Sequence, residues 1–358
     1  MLSFHGEGLV KVGVVGYGYW GPKLVRNFSE MGKATLTWVA DLDRERLDRL
    51  RAHYPSLHTT QDYDEMLRSD IDAVVVATPI RTHYRLAKAA LLAGKHVLVE
   101  KPLTASAHEA DELIELAERR NLRLMVGHTF EYNGAIRALR NLVRSGELGR
   151  IYYVDAARLN LGLFQTDINV IWDLAPHDLS ILLYVLGLDP IAVSARGTAN
   201  VRPGIHDVAY LEVDFPGGVL AHLHLSWLDP CKVRRVTIVG SRKMVVCNDV
   251  ADAEKIRIYD KGVDRPYETD QFSDFHLAYR YGDVTIPHVP FQEPLRLQCE
   301  HFVECILAGT RPQSDGRVGA KVVRILEQAD RSLLNGGQRE LIAHAPAALA
   351  EDPLAAAD

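Results

Sequence analysis

The sequence is poor in cysteine, in long apolar runs and in clustered basic residues. Its four cysteines, Cys231, Cys247, Cys299 and Cys305, have no Cys-x-x-Cys spacing, so we expect reduced thiols rather than a disulfide framework or a zinc site. No apolar stretch approaches the roughly 18 residues of a membrane helix, and the N-terminus lacks the pattern of a signal peptide. These absences predict a cytoplasmic protein that does not enter a membrane.

The charge balance is mildly acidic. There are 41 Lys and Arg residues against 47 Asp and Glu residues, which gives a net charge of −6, and no basic run stands out. Proteins that bind nucleic acid or anionic lipid surfaces concentrate lysine and arginine. We therefore expect neither a nucleic-acid partner nor a membrane partner.

Short β-branched runs alternate with amphipathic stretches between residues 9 and 127. We predict strands at 10–15, 35–40, 71–77, 95–99 and 122–126, separated by helices at 22–30, 44–53, 63–68, 82–93 and 106–119. This alternation is typical of crossover units on a parallel sheet. The sequence therefore predicts an α/β fold whose first domain, residues 1–128, is a doubly wound Rossmann domain.

The pattern changes after a helix predicted at 135–145. Longer alternating strands are predicted at 151–159, 191–200, 208–215, 219–227 and 234–239, and helices at 172–186, 294–308 and 318–334. They indicate a C-terminal α+β domain, residues 129–337, with a large open and mostly antiparallel sheet. We expect this domain to bind substrate, its last helix to pack back on the first domain, and residues 338–358 to form a loose tail.

A glycine-rich turn follows the first predicted strand. Gly16, Gly18 and Gly21 have the spacing of a dinucleotide-binding turn, in which they allow a tight bend, close approach of a pyrophosphate and packing of the next helix. Asp41 ends the next strand, where a carboxylate can accept hydrogen bonds from ribose hydroxyls and repels a 2′-phosphate. We predict NAD as the cofactor. NADP stays open as a less favoured alternative, since Arg44 could reach its 2′-phosphate.

Two further strand ends predict where the reaction takes place. Thr78 and Pro79 end one strand beside the cofactor, and His83 on the next helix lies either near the cofactor or at the surface as a cap. Lys101 directly follows an apolar strand, and Pro102 fixes the turn, so its ammonium reaches the carboxyl edge of the sheet, where ligands bind. A lysine there is suited to proton handling beside a nicotinamide.

Asp173 and His177 lie four residues apart in a predicted helix, so they project from one face and can meet one ligand hydroxyl. An imidazole of near-neutral pKa suits removal of the hydroxyl proton while hydride leaves the carbon. The alternative is a helix cap at Asp173 and a core-facing His177. A zinc site that uses His222 and His224 is disfavoured, because hydride transfer to nicotinamide needs no metal and the cysteines lack ligand spacing.

These segments, together with Gly-Lys-His-Val-Leu-Val-Glu-Lys-Pro at 94–102, resemble the Gfo/Idh/MocA family of glucose–fructose oxidoreductases and inositol dehydrogenases over residues 10–334. The resemblance implies that Lys101 is the catalytic lysine, that Glu100 lies near the nicotinamide ribose, and that Asp173 and His177 form the substrate-side pair. It also implies dimers or tetramers formed through the outer face of the second sheet.

The segments around Trp20 and Trp172 resemble the nucleotide-sugar and antibiotic-sugar branch of this family, in which a secondary ring hydroxyl, often at C3, is oxidised. The resemblance completes the predicted site. The catalytic residues are Lys101, His177 and Asp173. The cofactor-binding residues are Gly16, Tyr17, Gly18, Tyr19, Trp20, Gly21, Asp41, Thr78, Pro79, His83, Glu100, Lys101 and Trp172. The substrate-binding residues are Lys101, Tyr132, Asn160, Asn169, Asp173 and His177.

The prediction is therefore an NAD-dependent dehydrogenase of a sugar, amino sugar, nucleotide sugar or cyclitol, assembled as a homodimer or homotetramer. Lys101 polarises the reacting oxygen, His177 accepts its proton and Asp173 orients the ring. Two alternatives remain open. One is an NAD-dependent glycoside hydrolase that works by transient oxidation and elimination, and the other is a non-catalytic regulator that senses the dinucleotide.

Overall fold

The computed structural model describes residues 9–264 and 278–343. Its first sheet contains β1 (Val10–Val15), β2 (Ala34–Ala40), β3 (His58–Thr60), β4 (Ala73–Val76), β5 (His96–Val99) and β6 (Leu124–Val126). The helices that connect these strands are α1 (Gly21–Ser29), α2 (Arg44–His53), α3 (Tyr63–Arg68), α4 (Ile80–Leu92) and α5 (Ala107–Arg119).

The six strands are parallel and lie in the order β3-β2-β1-β4-β5-β6. All four residues of β4 are buried, as expected for a strand that helices cover on both faces. The strand order reverses between β1 and β4, and ligands of such sheets bind in the crevice at the carboxyl ends of the strands. The predicted Rossmann domain is confirmed.

The second domain begins with a 3-10 helix, Thr129–Tyr132, and α6 (Gly134–Arg144). Its strands are β7 (Ile151–Leu159), β8 (Ala192–Thr198), β9 (Val208–Phe215), β10 (Val219–Ser226), β11 (Val233–Gly240), β12 (Met244–Asn248), β13 (Ile256–Asp264), β14 (Ala278–Thr285) and β15 (Glu340–Leu341). The remaining helices are α7 (Val170–Leu186), α8 (Pro294–Ala308), α9 (Gly316–Leu334) and a 3-10 turn, Pro216–Gly218.

These nine strands form one sheet in the order β14-β13-β12-β11-β7-β10-β9-β8-β15. β10 pairs with β7 in parallel, and the other described pairings are antiparallel, so the predicted mostly antiparallel sheet is confirmed. β12 to β15 were not predicted. Seven of the eight residues of β14 are exposed, so this segment has no alternating apolar pattern that predicts a strand. It is a strand because it pairs with β13.

The C-terminal boundary also differs from the prediction. β15 pairs with β8, and the side chain of Ile342 is buried in the core, so the fold extends past the predicted start of the tail at residue 338. Residues 344–358 of the predicted tail lie outside the described residues.

The last two long helices join the two domains. Leu295, Cys299 and Phe302 of α8 share a buried core with Val12 and Val14 of β1. Burying one such apolar side chain contributes about 1.5–3 kcal/mol. α9 packs against α5 and β6 on the other side of the sheet. α9 also packs against α7, which lies over the carboxyl edge of the first sheet.

The cysteines are free thiols, and only Cys231 is exposed. Among the described helices, none combines the length and the apolar character that crossing a bilayer requires.

Candidate active site

The turn after β1 has the shape of a phosphate cradle. Gly16 has a φ of +98°, and a Cβ there would lie 2.4 Å from the carbonyl oxygen of Ala77, so only glycine fits. A Cβ at Gly21 would lie 2.4 Å from the carbonyl oxygen of Gly16. The side chain of Trp20, the N-cap residue of α1, accepts no hydrogen bond from the first turn. Pro22 has no N–H, and the amides of Lys23 and Leu24 donate to the main-chain oxygen of Trp20 at 3.0 and 3.2 Å, which leaves the amide of Gly21 to meet a phosphate.

Asp41 lies beside this turn at the end of β2. Its Oδ2 accepts a hydrogen bond from the Tyr17 amide at 2.5 Å, and its Oδ1 accepts one from the Asp43 amide at 2.8 Å. The guanidinium of Arg46 lies 3.7 Å from Oδ2, whereas Arg44 is exposed on α2. The basic residue that faces Asp41 is thus Arg46, and Arg44 is a solvent-exposed charge, as the sequence favoured.

His83 lies beneath the loops at the ends of β4 and β5. One ring nitrogen is 2.8 Å from the carbonyl oxygen of Pro102, and the other is 2.7 Å from that of Thr78. The side chain is 1% exposed, and burial lowers its pKa. His83 braces the loops of Thr78–Pro79 and Lys101–Pro102, and this position corrects the predicted direct contact with the cofactor.

Lys101 and α7 meet at the carboxyl edge of the first sheet. The Nζ of Lys101 donates a hydrogen bond to the main-chain oxygen of Asp173 at 2.8 Å and lies 3.5 Å from its Oδ1. The other carboxylate oxygen, Oδ2, accepts a hydrogen bond from the indole of Trp227 at 2.9 Å. Both domains therefore contribute to one polar centre in which Asp173 is held from two sides.

His177 lies one turn further along α7 and lines the cavity described below. Its ring is 5.1 Å from that of Phe130 in an edge-on arrangement. Burial lowers the pKa of His177 well below 6.5, and the positive charges of Lys101, Arg158 and Arg234 lower it further. This shift favours the neutral imidazole and departs from the near-neutral pKa expected from the sequence, because burial and then three positive charges disfavour the protonated ring.

A buried ion pair supports this wall of the site. The Nε of Arg158 donates to Asp178 at 2.7 Å, and a terminal nitrogen of its guanidinium donates to the other carboxylate oxygen at 3.0 Å. The guanidinium lies 4.6 Å from the centre of the Phe130 ring, and that of Arg234 lies 5.7 Å from it. The ring next to His177 is therefore fixed by two arginines.

A cavity of about 890 Å³ opens between the domains. Its lining includes Trp20, Lys23, Glu100, Gly127, Phe130, His177, Arg234, Asp249, Lys255 and residues 286–295. This volume lies within the range of natural small-molecule sites.

Glu100 provides a test of whether the cavity fits a dinucleotide. Its side chain is 7% exposed, and burial raises its pKa to about 7. Its Oε1 has no hydrogen-bond partner among the described residues. An unpaired carboxyl oxygen in the wall of the cavity matches a ribose hydroxyl, so Glu100, the glycine turn and Asp41 together fit NAD.

Three residues predicted to contact ligands have structural positions instead. Tyr132 is fully buried, and its hydroxyl is 3.2 Å from that of Ser314. Asn169 caps the N-terminus of α7 and donates to Asp330 at 2.8 Å. The indole of Trp172 donates to the same carboxylate at 2.5 Å. The predictions for Tyr132, Asn169 and Trp172 are corrected, because a core position and a helix start use their polar groups.

The other predicted residues remain at the site or near it. Asn160 directly follows β7 in a half-buried position, and its amide donates to the main-chain oxygen of Ser226 at 3.2 Å. Tyr19 is exposed, and the ammonium of Lys23 lies 4.2 Å from its ring and 4.3 Å from that of Trp20.

Lys23, Arg234 and Phe130 were missed from the sequence. A signal for Arg234 exists, because it falls on the inward register of β11 with Val236 and Ile238, where a charge is unusual. Phe130 and Lys23 carry no comparable signal. On the outer face of the sheet, His222 lies 3.1 Å from Asp155, and the described residues contain no group of three or more potential metal ligands.

Two family models match successive parts of the chain. One, described as "Oxidoreductase family, NAD-binding Rossmann fold", matches residues 10–128, and the other, "GFO/IDH/MocA C-terminal domain", matches residues 136–246. The chain belongs to the Gfo/Idh/MocA oxidoreductase family. The family resemblance and NAD as cofactor are confirmed, and the protein is an NAD-binding oxidoreductase.

Characterised relatives align with nearly the whole chain. The UDP-N-acetylglucosamine 3-dehydrogenase of Acidithiobacillus ferrooxidans is 29% identical over 330 residues, which is 88% of this chain and 94% of that protein. Its structure matches with a TM-score of 0.77 at 27% identity and covers 91% of this chain and 98% of that one. The myo-inositol 2-dehydrogenase of Thermotoga maritima is 23% identical over 336 residues, which is 90% of this chain and 96% of that protein.

A third comparison concerns the fold alone. The structure of GenD2 from gentamicin A biosynthesis, in complex with NAD, matches with a TM-score of 0.79 at 23% identity, and covers 96% of this chain and all of that one.

Proposed function

We propose that the protein oxidises a secondary ring hydroxyl, at C3, of a sugar or nucleotide sugar with NAD. One observation carries the proposal. The ammonium of Lys101, from the first domain, lies 2.8 Å from the main-chain oxygen of Asp173, one helical turn before His177. Side chains that can exchange a proton, Lys101 and His177, therefore lie in the same domain interface as the residues that fit a dinucleotide. The alignment with the UDP-N-acetylglucosamine 3-dehydrogenase supports the C3 position and the sugar nucleotide.

Each side chain has a role that follows from its charge and its contacts. Bound NAD supplies the hydride acceptor. Lys101 holds the reacting oxygen and stabilises the negative charge that develops on it. Neutral His177 accepts the hydroxyl proton, and the neighbouring cations favour its return to the neutral state. Asp173, fixed by the Trp227 indole, orients the ring.

The proposal is tested with Lys101→Met and His177→Ala. NADH formation is measured with UDP-N-acetylglucosamine, free hexoses, inositols and aminoglycosides. Each substitution is expected to lower kcat at least about 100-fold while NAD still binds, since general acid–base groups contribute 10²–10⁴-fold. Lys33→Met and His53→Ala remove the same groups from the surface and should leave kcat unchanged. Full turnover in K101M or H177A would remove that residue from the mechanism.

The same assay separates the alternatives. Release of the aglycone from an aryl glycoside without net NADH would indicate the hydrolase. Binding of NAD with no turnover of any sugar, cyclitol or glycoside would indicate the regulator.

We further propose that the protein forms a homo-oligomer through the outer face of the nine-stranded sheet. Tyr153, Tyr210 and Leu220 are 47%, 46% and 39% exposed there, and Tyr153 and Leu220 are directly opposite each other on paired strands. Such an exposed apolar patch favours association. Light scattering should show a monomer for Leu220→Asp and an unchanged mass for Leu334→Asp, an exposed control on α9. A wild-type monomer would contradict this proposal.

A further inference from the structure

Lys23 is a cation in the wall of the interdomain cavity, and the reaction above gives it no role. It lies in the first turn of α1, and it is half-buried. Its ammonium lies 4.2 Å from the centre of the Tyr19 ring and 4.3 Å from that of Trp20, and it forms no hydrogen bond or ion pair with the residues that the structure describes. Arg26, one turn further along α1, is by contrast paired with Glu293. The three N–H donors of Lys23 are therefore available to a ligand.

The main chain of α1 offers a phosphate few donors. A helix N-terminus binds an anion through the free amides of its first turn. Here Pro22 has no N–H, and the amides of Lys23 and Leu24 both donate to the main-chain oxygen of Trp20. The amide of Tyr17, in the glycine turn, is taken by Asp41. Since a pyrophosphate carries two negative charges, a cradle with so few free helix amides gains from a cation.

Lys23 lies at the end of the cavity where the cofactor fits. Trp20, Lys23 and Glu100 line the same cavity. Burial raises the pKa of Glu100, and the charges of Lys101 and Lys23 oppose this rise, so Lys23 acts on the carboxyl group that matches a ribose hydroxyl. In NAD each ribose carries one phosphate of the pyrophosphate. A cation beside the ribose partner, on the helix that follows the glycine turn, is therefore suited to that pyrophosphate.

We propose that Lys23 binds the pyrophosphate of NAD and supplies the positive charge that the first turn of α1 does not provide through its amides. The rings of Tyr19 and Trp20 hold the ammonium by cation–π contacts, so that it is oriented before the cofactor arrives. The proposal concerns the cofactor alone and does not depend on which sugar is oxidised.

Lys23→Met tests the charge at nearly constant side-chain length. Binding is measured by NADH fluorescence and by competition with ADP-ribose, which contains the pyrophosphate, and with adenosine, which lacks it. We expect K23M to bind NADH and ADP-ribose about 10-fold or more weakly and adenosine within about twofold of wild type, because only the first two lose a charge-assisted hydrogen bond. Lys23→Arg keeps the charge and should recover most of the affinity. The control Lys33→Met, which removes an ammonium paired with Glu304 at the surface, should bind as wild type does.

Tyr19→Leu tests the positioning role of the ring. It should weaken ADP-ribose binding about two- to fivefold, as expected for loss of an exposed cation–π contact. In the K23M background the same substitution should have no further effect, because no ammonium remains to be oriented. A full Y19L loss in that background would overturn the role of the ring.

Wild-type affinity of K23M for NADH and ADP-ribose would overturn the proposal. If the KM for UDP-N-acetylglucosamine rose instead, the ammonium would serve the diphosphate of the substrate. Equal weakening of adenosine and ADP-ribose would also overturn it, because that pattern marks a distorted pocket rather than a lost charge. In wild type, added NaCl should weaken ADP-ribose binding more steeply than in K23M, since salt screens the charge, and equal slopes would speak against the proposal. These titrations contain no sugar, so they decide the role of Lys23 even if the dehydrogenase proposal fails.

Discussion

Replacing Asp178 with Asn tests the buried ion pair that supports the His177 wall. Arg158 and Asp178 are joined by two hydrogen bonds, and their side chains are only 6% and 3% exposed. The amide keeps the volume of the carboxylate but leaves the guanidinium of Arg158 without a counter-charge. Removing one partner of a buried pair costs about 3–5 kcal/mol, because the other charge stays desolvated.

The stability change is measured by urea unfolding of D178N and wild type, followed by tryptophan fluorescence at neutral pH. The matched control is Asp189→Asn, which removes the same charge from the half-exposed pair with Lys321. A surface pair contributes about 0–1 kcal/mol. The double variant Arg158→Met/Asp178→Leu should recover most of the loss, since it leaves no buried charge.

The activity of D178N should fall as well. The guanidinium of Arg158 packs on Phe130, whose ring lies edge-on to His177, so a displaced guanidinium disturbs the imidazole. A loss of stability in D178N no larger than in D189N would refute the argument that burial makes this pair important.

Three further predictions concern the cofactor and pH. Asp41→Ser removes the charge that repels the 2′-phosphate of NADP and leaves Arg46 to pair with that phosphate. We therefore expect kcat/KM to fall about 10-fold or more with NAD and to rise with NADP. An unchanged ratio of kcat/KM with NAD to kcat/KM with NADP would contradict the role of Asp41. Burial raises the pKa of Glu131 from 4.5 to about 8, so the folded state holds an extra proton and loses stability as pH rises through this interval. Glu131→Gln should therefore gain stability over wild type between these pH values, and a constant difference would speak against it. Because the pKa of His177 is depressed, the acidic limb of kcat/KM should lie well below pH 6.5, and Arg234→Gln, which removes a nearby cation, should move it upward; a limb that does not move would exclude His177 as the titrating group.

Local sequence signals were enough for the first domain and its cofactor. A parallel sheet buried on both faces needs continuous β-branched strands, and a phosphate turn needs glycine where a Cβ would meet a carbonyl oxygen, as at Gly16. Lys101 was found because it directly follows an apolar strand, and its contact with Asp173 across the domains agrees with the expected arrangement. That it takes part in catalysis stays a prediction.

The sequence by itself therefore determined the two-domain architecture, the dinucleotide turn and which lysine reaches the sheet edge, because each depends on the order of residues within one segment. The tertiary structure decided which polar groups remain free for ligands. Tyr132, Asn169 and Trp172 carry groups suited to a sugar, but Ser314 and Asp330, more than 150 residues away in the chain, occupy them. The lowered pKa of His177 was likewise decided by burial and then by charges on other elements, since a pKa depends on what surrounds the group in space.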